Sequence, residues 1–301
     1  MMSSLLADLL RVNLAGAAAI LVVLAVRVPA RRMFGPEMAY RLWAAPPLAA
    51  LATLMPAPTI DGTPPADVLA TAIKDWSGLA LLAWALGVAV MLVGLTWAQR
   101  RFVASARAGK AGPSVVGVIA PRIYMPPDDG RYTAEERAVI RAHEHEHVVR
   151  GDPRAGALAA TLQVLCWFNP LIHLGVHTMR LDQELACDAA VLRRRPRDRA
   201  LYARTLLKTQ LDAQLLPFGC RWPAQGLHPL EVRVGALKAP VRCDGWAGPV
   251  LIATALVAVT LAAWNAQPPV SRYPPELIAF WKQASHRQLS VIIVPAPGAQ
   301  P

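Results

Sequence analysis

The sequence predicts a mainly α-helical membrane protein with four transmembrane helices and a helical cytoplasmic domain between the third and the fourth. Three observations predict this fold class. Hydrophobic residues make up 54% of the 301 residues and charged residues only 17%, below the roughly 25% of an average soluble domain. Four apolar stretches have the length that crosses a bilayer. Polar segments with closely spaced His, Glu and Asp lie between the last two stretches. This composition excludes a disordered chain.

The four apolar stretches are expected to be transmembrane helices because each is about 20 residues long and nearly free of charge. They run from about Leu5 to Val26, from Leu42 to Ile60, from Trp76 to Gln99 and from Trp246 to Trp264. Pro46 and Pro47 lie within the second stretch, where they should kink the helix. The first stretch lacks a basic N-terminal region and is followed by arginines, which favours an uncleaved span over a cleaved signal peptide.

The charges of the connecting segments predict the orientation. The loop after the first stretch and the segment after the third are basic, whereas the loop after the second is acidic. The basic residues are Arg27, Arg31, Arg32, Arg41, Arg100, Arg101, Arg107 and Lys110, and the acidic ones are Asp61, Asp67 and Asp75. The positive-inside rule therefore places both termini outside and the segment between the third and fourth stretches in the cytoplasm.

This topology divides the chain into four regions. Residues 1–99 form a three-helix transmembrane region and residues 100–245 a cytoplasmic domain. Residues 246–265 form the fourth transmembrane helix, and residues 266–301 a short proline-rich extracytoplasmic tail.

The net charge of +11 follows from the same topology. Residues 100–244 hold 22 of the 31 basic residues and 14 of the 20 acidic ones, so most of the excess charge is cytoplasmic. The arginine cluster at residues 193–199 is expected to be a solvated flank, with binding of anionic lipid or an acidic partner as the alternative. No aromatic interleaving or reading-helix pattern accompanies these charges, so no direct nucleic-acid binding is expected.

A helix of about 18 residues is predicted to begin at Thr133. Thr133 and Glu136 have the spacing of a capping box, and Gly151 with Pro153 ends the helix. Within it, His143, Glu144 and His147 form an H-E-x-x-H motif. The two histidines lie one turn apart on one face, so both rings could bind a single Zn²⁺.

The other residues of this motif have distinct expectations. Glu144 lies beside the histidines, where it could take a proton from metal-bound water and pass it to a departing amine. His145 and Glu146 are expected to face the surface. The alternative for the whole motif is a polar surface helix with incidental histidines.

A second helix is predicted to begin near Asn169 and Pro170, because Asn caps helices and Pro suits the first turn. It carries Glu184 and Asp188 one turn apart. Glu184 could be the third metal ligand, and Asp188 could accept the second ring N–H of a ligand histidine. The alternative for both is an ordinary surface acid, and Cys187 between them is expected to be a small buried residue.

Residues 155–179 are also free of charge and could form a fifth span. A fifth span would place Glu184 roughly 30 Å from His147, across the bilayer. Asn169 and Pro170 are therefore expected to break the run into two apolar helices that return to the same side. These helices would be buried in the domain or would enter the membrane surface, with His173 and His177 as packing residues.

In combination, these motifs resemble the BlaR/MecR-type membrane zinc metallopeptidases, the β-lactam-sensing signal transducers and their relatives. The matching segments are His143-Glu144-x-x-His147, Arg150-Gly151-Asp152, Trp167-Phe168-Asn169-Pro170-Leu171, Glu184-Leu185-Ala186-Cys187-Asp188 and residues 117–126. The resemblance implies a zincin-like peptidase domain in which His143, His147 and Glu184 bind Zn²⁺. It also implies that Glu144 is the catalytic base and that Asp188 supports a ligand. Residues 117–126 could pair with a substrate strand or form a plain loop.

The chain also departs from this family. In the antibiotic-sensing members a penicillin-binding domain with a Ser-x-x-Lys nucleophile follows the last span. Here Ser271, Ser285 and Ser290 are not followed by lysine at that spacing, so we expect the sensor domain to be lacking and no direct acylation by a β-lactam. His145 and Glu146 also stand where small or apolar residues are usual.

We therefore expect a zinc metalloendopeptidase of the bacterial inner membrane that acts in signal transduction. Its substrate would be a cytoplasmic or juxtamembrane protein, such as a transcriptional repressor, or the chain itself. The expected partners are this substrate, the lipid bilayer, and a separate sensor protein or a second copy of the chain. Two alternatives remain: a housekeeping protease of the CAAX-processing or quality-control type, and a non-catalytic sensor with a structural metal site.

Overall fold

The computed structural model describes residues 2–61, 67–109, 112–125, 127–212, 229–237, 245–274 and 276–279. Most of these residues are helical. The helices are α1 (Met2–Phe34), α2 (Pro36–Arg41), α3 (Ala45–Ala52), α4 (Val68–Ala72), α5 (Ser77–Arg107), α6 (Ala134–Arg150), α7 (Asp152–Leu165), α8 (Pro170–Arg194), α9 (Arg199–Asp212), α10 (Pro229–Leu237) and α11 (Ala247–Asn265). The strands are β1 (Thr59–Ile60), β2 (Ser114–Val116), β3 (Arg122–Tyr124) and β4 (Val270–Ser271).

Three helices of the described chain are long and apolar enough to cross a membrane: α1, α5 with the turn before it, and α11. They coincide with the first, third and fourth predicted stretches. Both α1 and α5 extend about two turns further toward the predicted cytoplasmic side than the apolar residues do. Both extensions contain several arginines, and arginine has a high helix propensity, so the helices continue beyond the apolar residues.

The second predicted span, Leu42 to Ile60, is wrong as a single helix. The helical part begins earlier, at Pro36, and runs through α2, a 3₁₀ turn at Leu42–Ala44 and α3, which ends at Ala52. The expected distortion at Pro46 and Pro47 is present, because these residues form the first turn of α3. Pro56 and Pro58 follow, and residues before proline avoid the helical conformation, so the chain becomes extended by β1.

The predicted helix at Thr133 is confirmed as α6. The Thr133 side chain accepts a hydrogen bond from the Glu136 N–H, and the Glu136 carboxylate accepts one from the Thr133 N–H. Gly151 ends the helix with φ = 73°, a left-handed conformation that glycine adopts without steric cost. Together these two ends leave His143 and His147 in the last three turns.

Residues 155–179 do not form one span. Helix α7 ends at Leu165, residues 166–169 turn the chain, and Asn169 caps α8 by accepting a hydrogen bond from the Leu171 N–H. The predicted break at Asn169 and Pro170 is thus confirmed. Helix α8 then continues without interruption to Arg194, so one helix carries both apolar residues and the acidic motif.

Buried residues form two cores. One lies among α1, α3, α7, α8 and α11, with Ile20, Val23, Trp43, Val176 and Ile252 as members. The other lies among α6, α8, α9 and α10, with Val139, Val191, Tyr202, Leu206 and Leu237 as members. Helix α8 belongs to both and therefore connects the apolar bundle to the domain that carries α6.

Two short sheets complete the described structure. Strand β1 pairs in parallel with β4, which brings the segment after α3 beside the segment after α11. Strands β2 and β3 form an antiparallel pair next to α6, and Gly117 turns the chain between them at φ = 105°. For residues 117–126 the sequence allowed either an extended strand or a plain loop. Strand β3 lies within this range, so part of it is extended. The predicted tail at residues 266–301 is described only as far as residue 279, so Ser285 and Ser290 lie outside the described residues.

Candidate metal centre

Three predicted ligands lie together where α6 packs on α8. The Nε2 atoms of His143 and His147 are 3.1 Å apart. The Glu184 carboxylate reaches both, with Oε2 at 3.4 Å from Nε2 of His143 and Oε1 at 3.6 Å from Nε2 of His147. The helical spacing explains the first pair, and the packing of α8 on α6 supplies the carboxylate.

Asp152 orients the His147 ring. Its Oδ2 lies 2.6 Å from Nδ1 of His147, so Nδ1–H donates to the carboxylate and the Nε2 lone pair points toward His143 and Glu184. Gly151 makes this contact possible, because its left-handed turn brings the first residue of α7 back toward the last turn of α6. Burial acts to lower the pKa of His147, but the hydrogen bond to Asp152 and the charge of Glu184 outweigh it and raise the pKa.

Tyr202 and Asp188 orient the His143 ring. The Tyr202 hydroxyl lies 2.7 Å from Nδ1 of His143 and donates to Oδ1 of Asp188 at 2.6 Å. Because the tyrosine proton goes to the carboxylate, its oxygen accepts from Nδ1–H of His143. Asp188 itself is 3.5 Å from Nδ1, so its predicted contact with a ligand histidine runs through Tyr202.

Arg233 on α10 connects the two acids of α8. It donates to Asp188 with Nε at 2.9 Å and Nη2 at 2.7 Å, and its Nη1 lies 3.0 Å from Oε2 of Glu184. Asp188 is buried, and this two-point contact supplies the counter-charge that a buried carboxylate requires. Burial acts to raise the pKa of Glu184, but Arg233 and the two histidines hold it well below its usual range, which keeps the carboxylate ionised.

These donors fit a zinc ion. Zn–N and Zn–O bonds of about 2.0–2.1 Å in a tetrahedron place neighbouring ligand atoms roughly 3.3–3.4 Å apart. The observed separations of 3.1, 3.4 and 3.6 Å bracket that value. In addition, both Nδ1 atoms carry their protons outward, so two lone pairs and a carboxylate face one another, an arrangement that a cation stabilises.

Cys187 is a further candidate ligand, since its Sγ lies within 4.8 Å of donor atoms on both histidines. The sulfur contacts the other side of the His143 ring, at 3.4 Å from Nδ1, and the thiol donates to the backbone carbonyl of His143 at 3.3 Å. Burial raises the pKa of this thiol, whereas zinc binds thiolate. The position of Glu184 on the Nε2 side makes it the better third ligand.

Glu144 lies between the histidines in sequence and is only 8% exposed. Burial raises the pKa of its carboxyl, while the neighbouring imidazoles lower it. The structure gives this carboxylate no hydrogen bond to another described residue, whereas Asp152 accepts through Oδ2 and Asp188 through both carboxylate oxygens. Glu144 is therefore free to bond to water or substrate.

The expectation for Glu146 is wrong, whereas that for His145 holds. Glu146 is 4% exposed and accepts from Arg194 at 2.6 Å, because this position of α6 faces the end of α8 rather than solvent. Arg193 of the same arginine cluster pairs with Glu37, so part of the predicted solvated flank joins α8 to α2 and α6.

An open cavity of about 670 Å³ lies on this side of α6, away from the metal ligands. It is lined partly by Arg137, Arg141, His145, Arg194 and Arg195.

Sequence reasoning missed three residues of the site. Asp152 could have been found, because a glycine that ends the helix four residues after His147 turns the next side chain back toward it. Tyr202 and Arg233 have no local signal. They lie on α9 and α10, and only the packing of these helices against α6 and α8 brings them to the histidines.

An H-E-x-x-H helix facing a glutamate helix, in a chain with apolar helices long enough to cross a bilayer, is the arrangement of a membrane metallopeptidase. The family model described as the BlaR1 peptidase M56 matches residues 7–76 and 61–237. These matches cover most of the chain, and the chain belongs to the BlaR1 peptidase M56 family. The resemblance to BlaR/MecR-type proteins is thereby confirmed.

A curated relative and the solved structures complete the comparison. The chain is 33% identical to the regulatory protein BlaR1 of Bacillus licheniformis over 81 residues. This match covers 27% of the chain and 14% of that relative, so the two share a limited segment. No solved structure gives a significant match.

Proposed function

We propose that the protein is a zinc-dependent endopeptidase of the bacterial inner membrane that cleaves a cytoplasmic or juxtamembrane protein in a signalling step. A repressor-like protein or the chain itself would be the substrate. The observation that carries the proposal is the convergence of His143, His147 and Glu184 at ligand distances on the same helix pair as Glu144, whose carboxylate makes no hydrogen bond to a described residue.

The residues of the site have separable roles. His143 and His147 would bind the metal through Nε2 and Glu184 through its carboxylate. Zinc, when bound, would polarise a scissile carbonyl and increase the acidity of a water molecule. Glu144 would accept the proton from the attacking water and deliver it to the departing amine. Asp152 and the Tyr202–Asp188 pair would hold the two imidazoles in the tautomer that leaves Nε2 free.

Two observations favour this function over the alternatives. A structural zinc site is closed by four protein ligands, and the further donor that the described residues bring close to both histidines, Cys187, contacts the Nδ1 side of His143. The three-ligand set therefore supports a catalytic site with an open position. The match to the BlaR1 peptidase family favours signalling over housekeeping proteolysis.

The contacts also support the predicted topology. Asp67, in the predicted outer loop, pairs with Arg11 near the start of α1. At the other end of α1, Arg27 pairs with Asp182. Trp264, at the end of α11, donates to the Pro56 carbonyl beyond α3, as expected if both segments lie on one side of the membrane. Both termini would lie outside and the metal centre in the cytoplasm.

Replacing Glu144 with Gln tests the mechanism. The glutamine keeps the size of the side chain but cannot accept the proton, so we expect zinc to remain bound and proteolysis to be lost. Proteomic comparison of cells that express the native chain or Glu144→Gln would identify accumulated substrates, and metal analysis of the purified chains would report zinc.

Glu135→Gln is the matched control, because Glu135 is an exposed residue of the same helix. Unchanged proteolysis in the Glu144 variant, with zinc bound to both variants, would contradict the mechanism. A native chain that binds no zinc would contradict the metal assignment.

A further inference from the structure

The hairpin formed by α7, residues 166–169 and the first half of α8 contacts the middle of two apolar helices. At its tip, the Asn169 side-chain amide donates to Oδ1 of Asn13 on α1 at 2.8 Å. Trp84 on α5 donates to the Leu165 carbonyl at 2.8 Å, and Trp167 donates to the Trp84 carbonyl at 3.3 Å. Asn13 and Trp84 both belong to the apolar parts of their helices, about two turns from the outer ends.

Small residues allow this close approach. A Cβ atom at Gly87 of α5 would overlap the Trp167 indole, so the ring occupies the space that a larger residue would fill. A Cβ atom at Gly175 of α8 would lie 3.0 Å from the Ile20 side chain of α1. Glycine at helix contacts is typical of helices that pack inside membranes.

The depth of the tip follows from the two parallel helices. From Asn13 to Arg27 along α1 and from Asn169 to Asp182 along α8, the helices each advance about 20 Å at 1.5 Å per residue. Arg27 and Asp182 are paired at 3.0 Å, and Arg27 marks the cytoplasmic edge of the first span. The tip therefore lies about 20 Å inside a hydrocarbon region that is about 30 Å thick.

Three carbonyl groups of the turn are bonded within the protein, as a place without water requires. Non-helical backbone is tolerated at membrane depth only where its polar groups are bonded within the protein. The Leu165 carbonyl accepts from Trp84, the Cys166 carbonyl from the Asn169 N–H at 2.9 Å, and the Trp167 carbonyl from Nε2–H of His173 at 2.9 Å. His173 thus has a role at the turn, and Gln163 bonds to its Nδ1 at 3.2 Å.

The exposed side chains of the hairpin are mostly apolar and are uncovered in the described structure. Leu158, Phe168 and Leu174 are 47%, 44% and 48% exposed, and residues 155–179 contain no Asp, Glu, Lys or Arg. On α5, which packs against α7, Leu86 is likewise 66% exposed. We infer that the hairpin enters the bilayer from the cytoplasmic side and that lipid acyl chains cover these side chains. The inference rests on the assignment of α1 and α5 as spans in the proposed function.

Site-directed spin labelling of the full chain in phosphatidylethanolamine–phosphatidylglycerol vesicles tests this placement. Single cysteines would replace Leu158, Phe168 and Leu174 in a chain with Cys220→Ser and Cys243→Ser, which retains the buried Cys166 and Cys187. The collision of each nitroxide with oxygen, which concentrates in lipid, is compared with its collision with a water-soluble nickel chelate. Leu86→Cys on α5 is the lipid control and Leu207→Cys on α9 the water control.

We expect Phe168 and Leu174 to show an oxygen-to-nickel ratio close to that of Leu86 and several-fold above that of Leu207. Leu158 should be intermediate because it lies about 10 Å along α7 from the end of that helix at the turn. Ratios at Phe168 and Leu174 equal to that at Leu207 would overturn the inference, and so would equal intermediate ratios at all three sites, since they would indicate a hairpin lying flat on the surface. Leu165→Cys gives a second tip position if Phe168→Cys does not reconstitute.

The two proposals fail separately. Nickel access at Leu86 would overturn the span assignment and the hairpin placement together. It would leave the Glu144→Gln experiment intact, because zinc binding and proteolysis are measured independently of membrane depth.

Discussion

Each of the two proposed ligand histidines, His143 and His147, is held by a different carboxylate. Asp152 bonds directly to Nδ1 of His147, whereas Asp188 acts on His143 through the Tyr202 hydroxyl. A hydrogen bond on the outer ring nitrogen fixes the tautomer and increases the basicity of the metal-binding nitrogen. Asp188 also bonds to Arg233. The orientation of His147 therefore depends on the Asp152 carboxylate, whereas that of His143 depends on the hydrogen-bonded network of Tyr202, Asp188 and Arg233.

Asp152→Asn should weaken zinc binding by about 10–100-fold, the usual effect of losing such a partner of a ligand histidine. The amide can still accept a hydrogen bond, but it lacks the charge that stabilises the bound cation. Competition with a chromogenic chelator measures the affinity of the purified chain. Asp128→Asn, at an exposed position, is the control and should bind zinc as the native chain does. Equal affinities for the two variants would show that Asp152 does not support the ligand.

The predictability of the site differs from residue to residue. His143, Glu144 and His147 share a helix whose ends are set by Thr133 and Gly151, so local spacing was sufficient to predict their common face. Glu184 could be predicted as a candidate because Asn169 marks the start of α8, and the predicted helix then carries Glu184 and Asp188 one turn apart. Arg233 and Tyr202 depend on how four helices pack, and no local pattern encodes that packing. Glu146 was misassigned for the same reason, because its partner Arg194 lies on another helix.

At the scale of single elements, proline determined where prediction failed. Helices α6 and α11 begin and end close to the predicted residues, and α8 begins close to its predicted start, because caps or changes in polarity mark these positions. The segment from Pro36 to Ile60 carries five prolines, and hydropathy does not show how each one interrupts the helix. The observed α2 and α3 therefore differ from the single helix that the apolar residues indicated.

Gly87→Ala should destabilise the contact between α5 and the α7–α8 hairpin. An added Cβ atom would overlap the Trp167 ring, which must then move and lose its bond to the Trp84 carbonyl. Overpacking of this kind costs about 1–3 kcal/mol. The midpoint of thermal unfolding in detergent measures the effect.

Gly94→Ala on the same helix is the control, because no atom lies within 4 Å of the added Cβ atom. There the better helix propensity of alanine should leave stability unchanged or raise it by up to about 1 kcal/mol. Equal midpoints for the two variants would contradict the tight contact with Trp167.

At the scale of the whole molecule, Asp182 joins the apolar bundle to the metal centre. This fully buried carboxylate accepts from Arg27 at 3.0 and 3.1 Å and from the Trp43 indole at 2.8 Å, and Arg31 lies 3.5 Å away. Glu184 follows two residues later on the same helix. Helix α2 adds a second connection, since Tyr40 accepts from Gln183 and packs against the Arg150 guanidinium.

Asp182→Asn should reduce the free energy of unfolding by about 2–3 kcal/mol, because it leaves partly buried arginines without their counter-charge. Chemical unfolding of the detergent-solubilised chain, followed by circular dichroism, measures the loss. Asp61→Asn is the control: Asp61 pairs with Arg272, both side chains are largely exposed, and such pairs contribute little. A loss no greater than in the control would show that Asp182 does not join the two parts.

The uninterrupted length of α8 has a consequence for what the site could cut. The same rigid helix carries the tip at Asn169 and the ligand Glu184, separated by about 15 residues or about 22 Å. With the hairpin in the bilayer, the height of the proposed metal centre above the lipid surface would be set by a fixed length of helix rather than by a flexible linker. A peptide bond would be selected first by its distance from the lipid surface and only then by the side chains around it.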